Sequence, residues 1–218
     1  MDGQTERRIK DFLEKIPSGV KVVAATKCRS IELVSECPAH GIFAAGENRV
    51  QELLSKYQPV EGLEWQVIGQ LQTNKVKYIL DKVSLIQSLD RVSLADKLEE
   101  ECAKRGLTMP VLVEVKHGKE LTRDGVSPDG LMAFAEYVRG KKHLTLNGLM
   151  TVMPLGSEKS AFLYKKTYKL FEKLRENFGS DIKWLSMGMS VDYLTAIENG
   201  SNMIRPGRAL FGERFYAT

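Results

Sequence analysis

Two hydrophobic periods alternate along this chain from one end to the other. Short β-rich runs fall at residues 20–26, 42–45, 64–69, 85–88, 110–115, 145–150, 182–186 and 202–205. Between them lie longer stretches in which apolar residues recur every three to four positions, the mark of an amphipathic helix. These predict helices at 30–37, 49–57, 74–81, 91–104, 129–139, 160–177 and 191–199. A further helix at 6–15 precedes the first strand, with Ile9, Phe12, Leu13 and Ile16 at helical spacing. Local signals mark several ends: Ser30 and Asn74 as N-caps, Pro128 in a first turn, and Gly106, Gly140, Gly179 and Gly200 just past helix ends. The run 20–26 (VKVVAAT) has the Val/Ala richness of a strand buried on both faces.

Eight strands, each followed by a helix except the last, predict an α/β chain closed into a single (β/α)8 TIM-type barrel with an extra N-terminal helix. A doubly wound open sheet would show the same alternation; the count of eight favours the barrel. The length of 218 residues suits that fold, which runs from about 200 residues upward. No Pro/Gly/Ser-rich linker divides the chain, so residues 1–218 are expected to form one domain.

Composition narrows the function classes. Thirty-two basic against 28 acidic residues leave a net charge of only +4, scattered along the chain. With no dense basic block interleaved with aromatics, a nucleic-acid surface is not indicated. The longest apolar runs are strand-sized, so no membrane span is expected. Residues 1–15 are polar and carry no signal-peptide core. Cys28, Cys37 and Cys102 are odd in number and lack metal-like spacing, which predicts reduced thiols in a cytoplasmic protein. His40 falls in an expected loop after Pro38, and His117 and His143 have no paired carboxylate at useful spacing; all three read as surface or structural. Cys28, next to Lys27, is expected to point into helix packing.

In such a barrel, chemistry sits where strands end. The first strand closes on Thr26-Lys27, which places a long amine at the carboxyl edge of the sheet. An amine partly withdrawn from water loses proton affinity and is a candidate for a Schiff base with an aldehyde. The plainer reading is a strand-end lysine reaching solvent. The seventh strand runs into Ser186-Met187-Gly188-Met189-Ser190 and the eighth into Arg205-Pro206-Gly207-Arg208. These are the positions where barrels most often bind phosphate, and Gly/Ser loops opening a helix supply N–H groups and hydroxyls for an anion. Lysine, phosphate loops and an inward arginine together describe a pocket for a phosphorylated aldehyde, and pyridoxal 5′-phosphate fits. Arg205 would lie near the pyridine nitrogen. A guanidinium only donates, so it pairs with an unprotonated ring, a weaker electron sink that suits holding the cofactor.

The ordered segments A-T-K, G-E-N-R-V-Q-E, W-Q-V-I-G-Q-L-Q-T-N-K, S-L-D-R, G-L-M, L-S-M-G-M-S and I-R-P-G-R-A-L-F-G resemble the pyridoxal phosphate homeostasis protein family. They are also similar to the N-terminal barrel of alanine racemase. The resemblance covers about residues 20–216. It implies an alanine racemase N-terminal type of barrel with pyridoxal phosphate on Lys27 and with Asn48 lining the pocket. It places Ser190 in the phosphate loop with Ser186 and Met187 nearby, and Arg205 facing the pyridine nitrogen. Gly207 and Arg208 would bind phosphate through the backbone. Gln66 stands where the family commonly has histidine, Arg208 where threonine is more usual, and Val191 where an acidic residue is common. The stretch 115–125 diverges apart from a basic residue before Gly125.

The implied role is buffering or delivery of pyridoxal phosphate, without defined turnover, by a monomer whose partners are the cofactor and recipient apo-enzymes. The alternative is a pyridoxal phosphate-dependent amino-acid racemase. Racemisation needs a second base, and Tyr57, Tyr78, Tyr137, Tyr164, Tyr168 and Tyr193 lie on helices expected to face outward, with Tyr216 in the tail. An aldolase-like barrel forming a Schiff base with its substrate would share the lysine but not explain Arg205.

Overall fold

The predicted alternation builds a closed parallel barrel in the computed structural model, which describes residues 1–117, 125–153 and 160–213. Among the described residues the strands are β1 (Lys21–Val22), β2 (Ala24–Ala25), β3 (Ala44–Glu47), β4 (Glu64–Val67) and β5 (Leu85–Leu89). They continue with β6 (Met109–Glu114), β7 (Leu144–Met150), β8 (Trp184–Ser186) and β9 (Met203–Ile204). Their order is β1-β9-β8-β7-β6-β5-β4-β3-β2, so the two end strands belong to one extended stretch. Lys21, Val23 and Ala25 donate N–H to the carbonyls of Asn202, Ile204 and Pro206 at 2.9, 2.9 and 2.8 Å. The same stretch pairs Ala24 and Ala25 with Ala45 and Gly46 on its other side. One strand bonded to both neighbours closes the sheet, which rules out the open-sheet alternative. The expected first strand is therefore present, divided in two because its halves pair with different partners.

Side chains alternate across the barrel wall, as the strand period requires. Val23, Ala44, Ile68, Leu85, Leu112, Met150 and Met203 pack inside the barrel. Ala45, Val67, Ile86, Val111 and Leu185 face outward against helix residues such as Leu53, Leu94, Leu98 and Phe134. The helices are α1 (Gly3–Leu13), α2 (Ile31–Ser35), α3 (Val50–Lys56), α4 (Val92–Ala103), α5 (Leu131–Arg139), α6 (Ser160–Phe178), α7 (Tyr193–Glu198) and α8 (Arg208–Phe211). Ser30 caps α2 as expected, its hydroxyl accepting from Leu33 N–H. Asn74 does not cap a helix: that segment is a 3-10 turn, Thr73–Tyr78, entered from Gln72. The four-residue α8 is too short to show a period, and the sequence pattern did not announce it. Ile9 and Phe12 of α1 pack with Leu210 and Phe211 of α8 in a separate cluster.

Candidate functional site

Val23 and Ala25 face the barrel interior, and Lys27, two residues on, opens into a cavity at the carboxyl ends of the strands. The cavity, of about 660 Å³, is lined by Lys27, Asn48, Arg49, Val50, Gln51, Gly69, Gln70, Gln72 and Lys75. Among the described residues, three cations and no carboxylate border it, a lining that attracts anions. Gly69 makes the convergence of two loops possible: a Cβ there would lie 2.4 Å from the Asn48 carbonyl oxygen. Asn48 and Lys27 thus border one space.

Lys27 rides on a turn that is held from outside the barrel wall. Arg29 N–H donates to the Thr26 carbonyl at 3.0 Å, and Cys28 takes a left-handed φ of 58°. From α3, the buried Lys56 Nζ donates to the Thr26 and Arg29 carbonyls at 2.8 and 3.2 Å. The same ammonium pairs with Glu47 Oε1 at 2.6 Å, and the Thr26 hydroxyl donates to that carboxylate. Glu52 accepts from Cys28 N–H. Burial pushes the Glu47 carboxyl up, while Lys56 and Thr26 pull it the other way; its Oε2 is buried with no hydrogen-bond partner among the described residues. Cys28 is exposed on this turn rather than packed under a helix, because the strand has ended and alternation no longer governs it. Neither pair was expected from the sequence: Glu52–Lys56 carries an i,i+4 spacing that could have signalled it, whereas Glu47–Lys56 carries no such local signal.

A second cluster forms at the ends of β8 and β9. Arg205, only 3% exposed, donates from Nη1 to Ser186 Oγ at 2.5 Å and from Nη2 to the Thr151 carbonyl at 2.8 Å. Burial pulls its pKa down, and the charges of Glu114 and Asp192 oppose that. Ser186 is fully buried beneath Arg205, and its hydroxyl donates to Gln87 Oε1 at 2.6 Å. The Met187 side chain is buried in the layer between barrel and helices, and its N–H donates to the Met203 carbonyl at 3.0 Å. Ser190 Oγ accepts from the N–H groups of Gly207 and Ala209 at 2.9 and 3.1 Å, which ties the seventh loop to the eighth. Gly188 has φ +96°, and a Cβ there would stand 2.6 Å from Ala196 Cβ, so the sharp turn between β8 and α7 requires glycine. Arg208 is exposed and faces Glu213 at 3.7 Å.

Ala25 joins the two clusters. A Cβ on Gly207 would stand 3.2 Å from the Ala25 carbonyl oxygen, so the eighth loop lies against the first strand two residues before Lys27. Tyr164, expected to face outward, is buried and donates its hydroxyl to Asp192 Oδ2 at 2.7 Å. Asp192 Oδ1 in turn accepts from Met189 N–H at 2.7 Å, bracing the seventh loop. Burial and the Asp192 contact push the Tyr164 phenol up. Two histidines do find carboxylates from distant segments: His143 meets Glu99 at 3.0 Å and His40 meets Glu6 at 3.9 Å. Burial pushes the Cys37 thiol up to about 12 and the Cys102 thiol up to about 11. No metal-binding group occurs among the described residues. Tyr216 and most of the stretch 115–125 lie outside the described residues.

The family model described as alanine racemase, N-terminal domain, matches residues 3–215. The chain is 40% identical over 216 residues to the pyridoxal phosphate homeostasis protein of Aquifex aeolicus (strain VF5), covering 96% of this chain and 95% of that one. It belongs to that family. A mouse (Mus musculus) member is 33% identical over 213 residues, which span 90% of this chain and 78% of the mouse protein. Among solved structures, PipY of Synechococcus elongatus PCC7942 with PLP bound superposes with a TM-score of 0.85 at 28% identity, over 96% of this chain and all (100%) of that one. Alanine racemase of Clostridium difficile 630 shares the fold, with a TM-score of 0.77 at 18% identity. This chain spans 59% of that enzyme's length. No helix among the described residues is long and apolar enough to cross a membrane.

Proposed function

We propose that this chain holds pyridoxal 5′-phosphate on Lys27 and serves its homeostasis, buffering the cofactor or delivering it to apo-enzymes, without a defined turnover. The observation that carries this reading is the placement of Lys27: a strand-end amine opening into a cationic cavity, tied through Ala25 to a serine-glycine anion loop. The names and the PLP-bound structure among its relatives support the choice of ligand. When bound, the cofactor supplies an aldehyde that an amine takes up covalently and a ring that withdraws electrons.

The donor set fits that group. Lys27 would carry it, Asn48 would line its pocket, and Ser190 with the Gly207 and Arg208 backbone would hold the phosphate. Ser186 and Met187 would support the site from below and behind, where the one meets Arg205 and the other packs in the outer core. Arg205 would face the ring nitrogen as a pure donor. The racemase reading needs a second base beside Cα. Tyr164 is the buried phenol near this loop, and its proton is committed to Asp192, with burial keeping it neutral. That supports a holder over a racemase. The chain would act as a monomeric barrel in the cytoplasm, where its three free thiols suit a reducing compartment.

The test is borohydride reduction of the loaded protein followed by peptide mapping. The label is expected on Lys27, and Lys27→Ala is expected to lose both the label and the absorbance of bound cofactor. A protein that takes up no pyridoxal phosphate, or a label mapped to another residue, would overturn the reading. Racemisation of alanine some hundreds-fold or more above free cofactor, taken as an order-of-magnitude threshold, would assign an enzyme instead.

A further inference from the structure

A row of polar side chains crosses the barrel interior, a space that apolar residues ordinarily fill. Gln66 and Gln87 are both fully buried, and neither borders the cavity at Lys27. From the mouth downward, Arg205 Nη1 donates to Ser186 Oγ at 2.5 Å and Ser186 Oγ to Gln87 Oε1 at 2.6 Å. Gln87 Nε2 then donates to Gln66 Oε1 at 2.7 Å, and Gln66 Nε2 to Glu64 Oε2 at 3.3 Å. Lys21 Nζ ends the row on the same Glu64 oxygen at 2.6 Å. Glu64 and Lys21 begin β4 and β1, so the row runs from the carboxyl ends of the strands to their amino ends.

The row has one permitted direction. Arginine only donates and the Glu64 carboxylate only accepts, so the row runs donor to acceptor from Arg205 to Glu64, with the Ser186 hydroxyl accepting from Arg205 and donating to Gln87. Gln87 therefore turns its carbonyl up and its amide down. Reversing Gln66 would set amide against amide above and carbonyl against carboxylate below, so it points the same way. Each dipole presents its negative end toward Arg205 and its positive end toward Glu64, and bonds aligned head to tail strengthen one another. Four buried polar side chains in a row would be costly if any lacked a partner, and here each has one on both sides.

We propose that Ser186, Gln87 and Gln66 form an oriented relay that fixes the Arg205 guanidinium as a charged donor for the cofactor ring nitrogen. Gln87 and Gln66 are thus positioning residues of a site they do not border. The inference rests on the cofactor reading above. It requires only a side chain at position 66 that accepts on one side and donates on the other. Neutral histidine does the same with its two ring nitrogens, whereas methionine, of similar length, does neither well.

The experiment titrates the apo-protein with pyridoxal phosphate by absorbance across a range of pH. Gln87→Met and Gln66→Met are expected to bind about tenfold more weakly and to shift the band of the bound cofactor and its pH dependence, while Gln66→His stays within about twofold of wild type. In an Arg205→Met background, Gln87→Met is expected to add no further loss, because its effect passes through the arginine. Melting temperatures of the apo-proteins verify folding, and the Gln66→His against Gln66→Met comparison needs no arginine variant. Wild-type affinity and spectrum in both methionine variants overturn the relay, as does equal loss in Gln66→His, or an undiminished Gln87→Met effect without Arg205. If wild type loads on Lys27 while these outcomes hold, the relay alone fails; if wild type does not load, the cofactor reading fails and the relay with it.

Discussion

His117 sits buried against Thr167, whose hydroxyl already donates to the Leu163 carbonyl at 2.9 Å. The 2.7 Å contact between His117 Nε2 and Thr167 Oγ1 is therefore donated by the ring, which fixes the neutral Nε2–H tautomer. Burial, helped by the nearby Lys166, holds its pKa below the usual histidine value. The unfolded chain takes up a proton near pH 6.5 and the folded chain only at lower pH, so the folded state loses stability as pH falls below about 6.5. We expect the melting temperature to drop between about pH 7.5 and about pH 5.5 by less in His117→Gln than in wild type. Parallel slopes in thermal melts would show that another group titrates. The structural role read for this histidine was visible in the sequence; its partner, 50 positions away, was not. Ser186 shows the same limit, since adjacency to Ser190 suggested a shared loop while the strand pleat turns it into the barrel.

At the scale of elements, β3 extends to Glu47, two residues beyond the apolar run that predicted it. The run stops at Ala45, but the backbone continues to pair because Glu47 finds Lys56 of α3 and the Thr26 hydroxyl. The acidic residue just past the apolar run is thus the contact that binds strand, helix and Lys27 turn together. Lys56→Met leaves Glu47 buried without its counter-charge, and removing one partner of a buried pair costs about 3–5 kcal/mol. The denaturation midpoint should fall accordingly, and pyridoxal phosphate affinity should fall with it. Adding Glu47→Gln to Lys56→Met should recover part of the stability. No recovery in the double variant would mean that the Lys56 bonds to the Thr26 and Arg29 carbonyls carry the effect instead. The segment 74–81 illustrates the opposite case: its apolar spacing is helical, yet it forms a 3-10 turn that leaves Asn74 inside rather than at a cap. Short periodic stretches do not distinguish i,i+3 from i,i+4 bonding.

Across the whole molecule, the N-terminal helix braces the far end of the chain. Ile9 is fully buried against the cluster that includes Leu210 and Phe211 of α8, and α8 springs from the Gly207 loop held by Ser190. Ile9→Ala should cost about 2–5 kcal/mol and also weaken pyridoxal phosphate binding. Leu98→Ala, an equally buried truncation on α4, should cost similar stability with a smaller effect on binding. Equal losses of affinity in calorimetric titrations would remove the bracing role. The alternation of strands and helices, Lys27 just past the first strand, and the Ser186–Ser190 and Arg205–Arg208 loops were determined by the sequence itself, because period, caps and strand-end position are properties of neighbouring residues; closure of the sheet was decided by one stretch pairing with both neighbours. Only the tertiary structure decided that Glu47 meets Lys56, that Tyr164 meets Asp192, and that Arg205, Ser186, Gln87, Gln66 and Glu64 stand in one line. Those partners come from different strands and helices, and it is the register imposed by closing the barrel that sets which of them share a level.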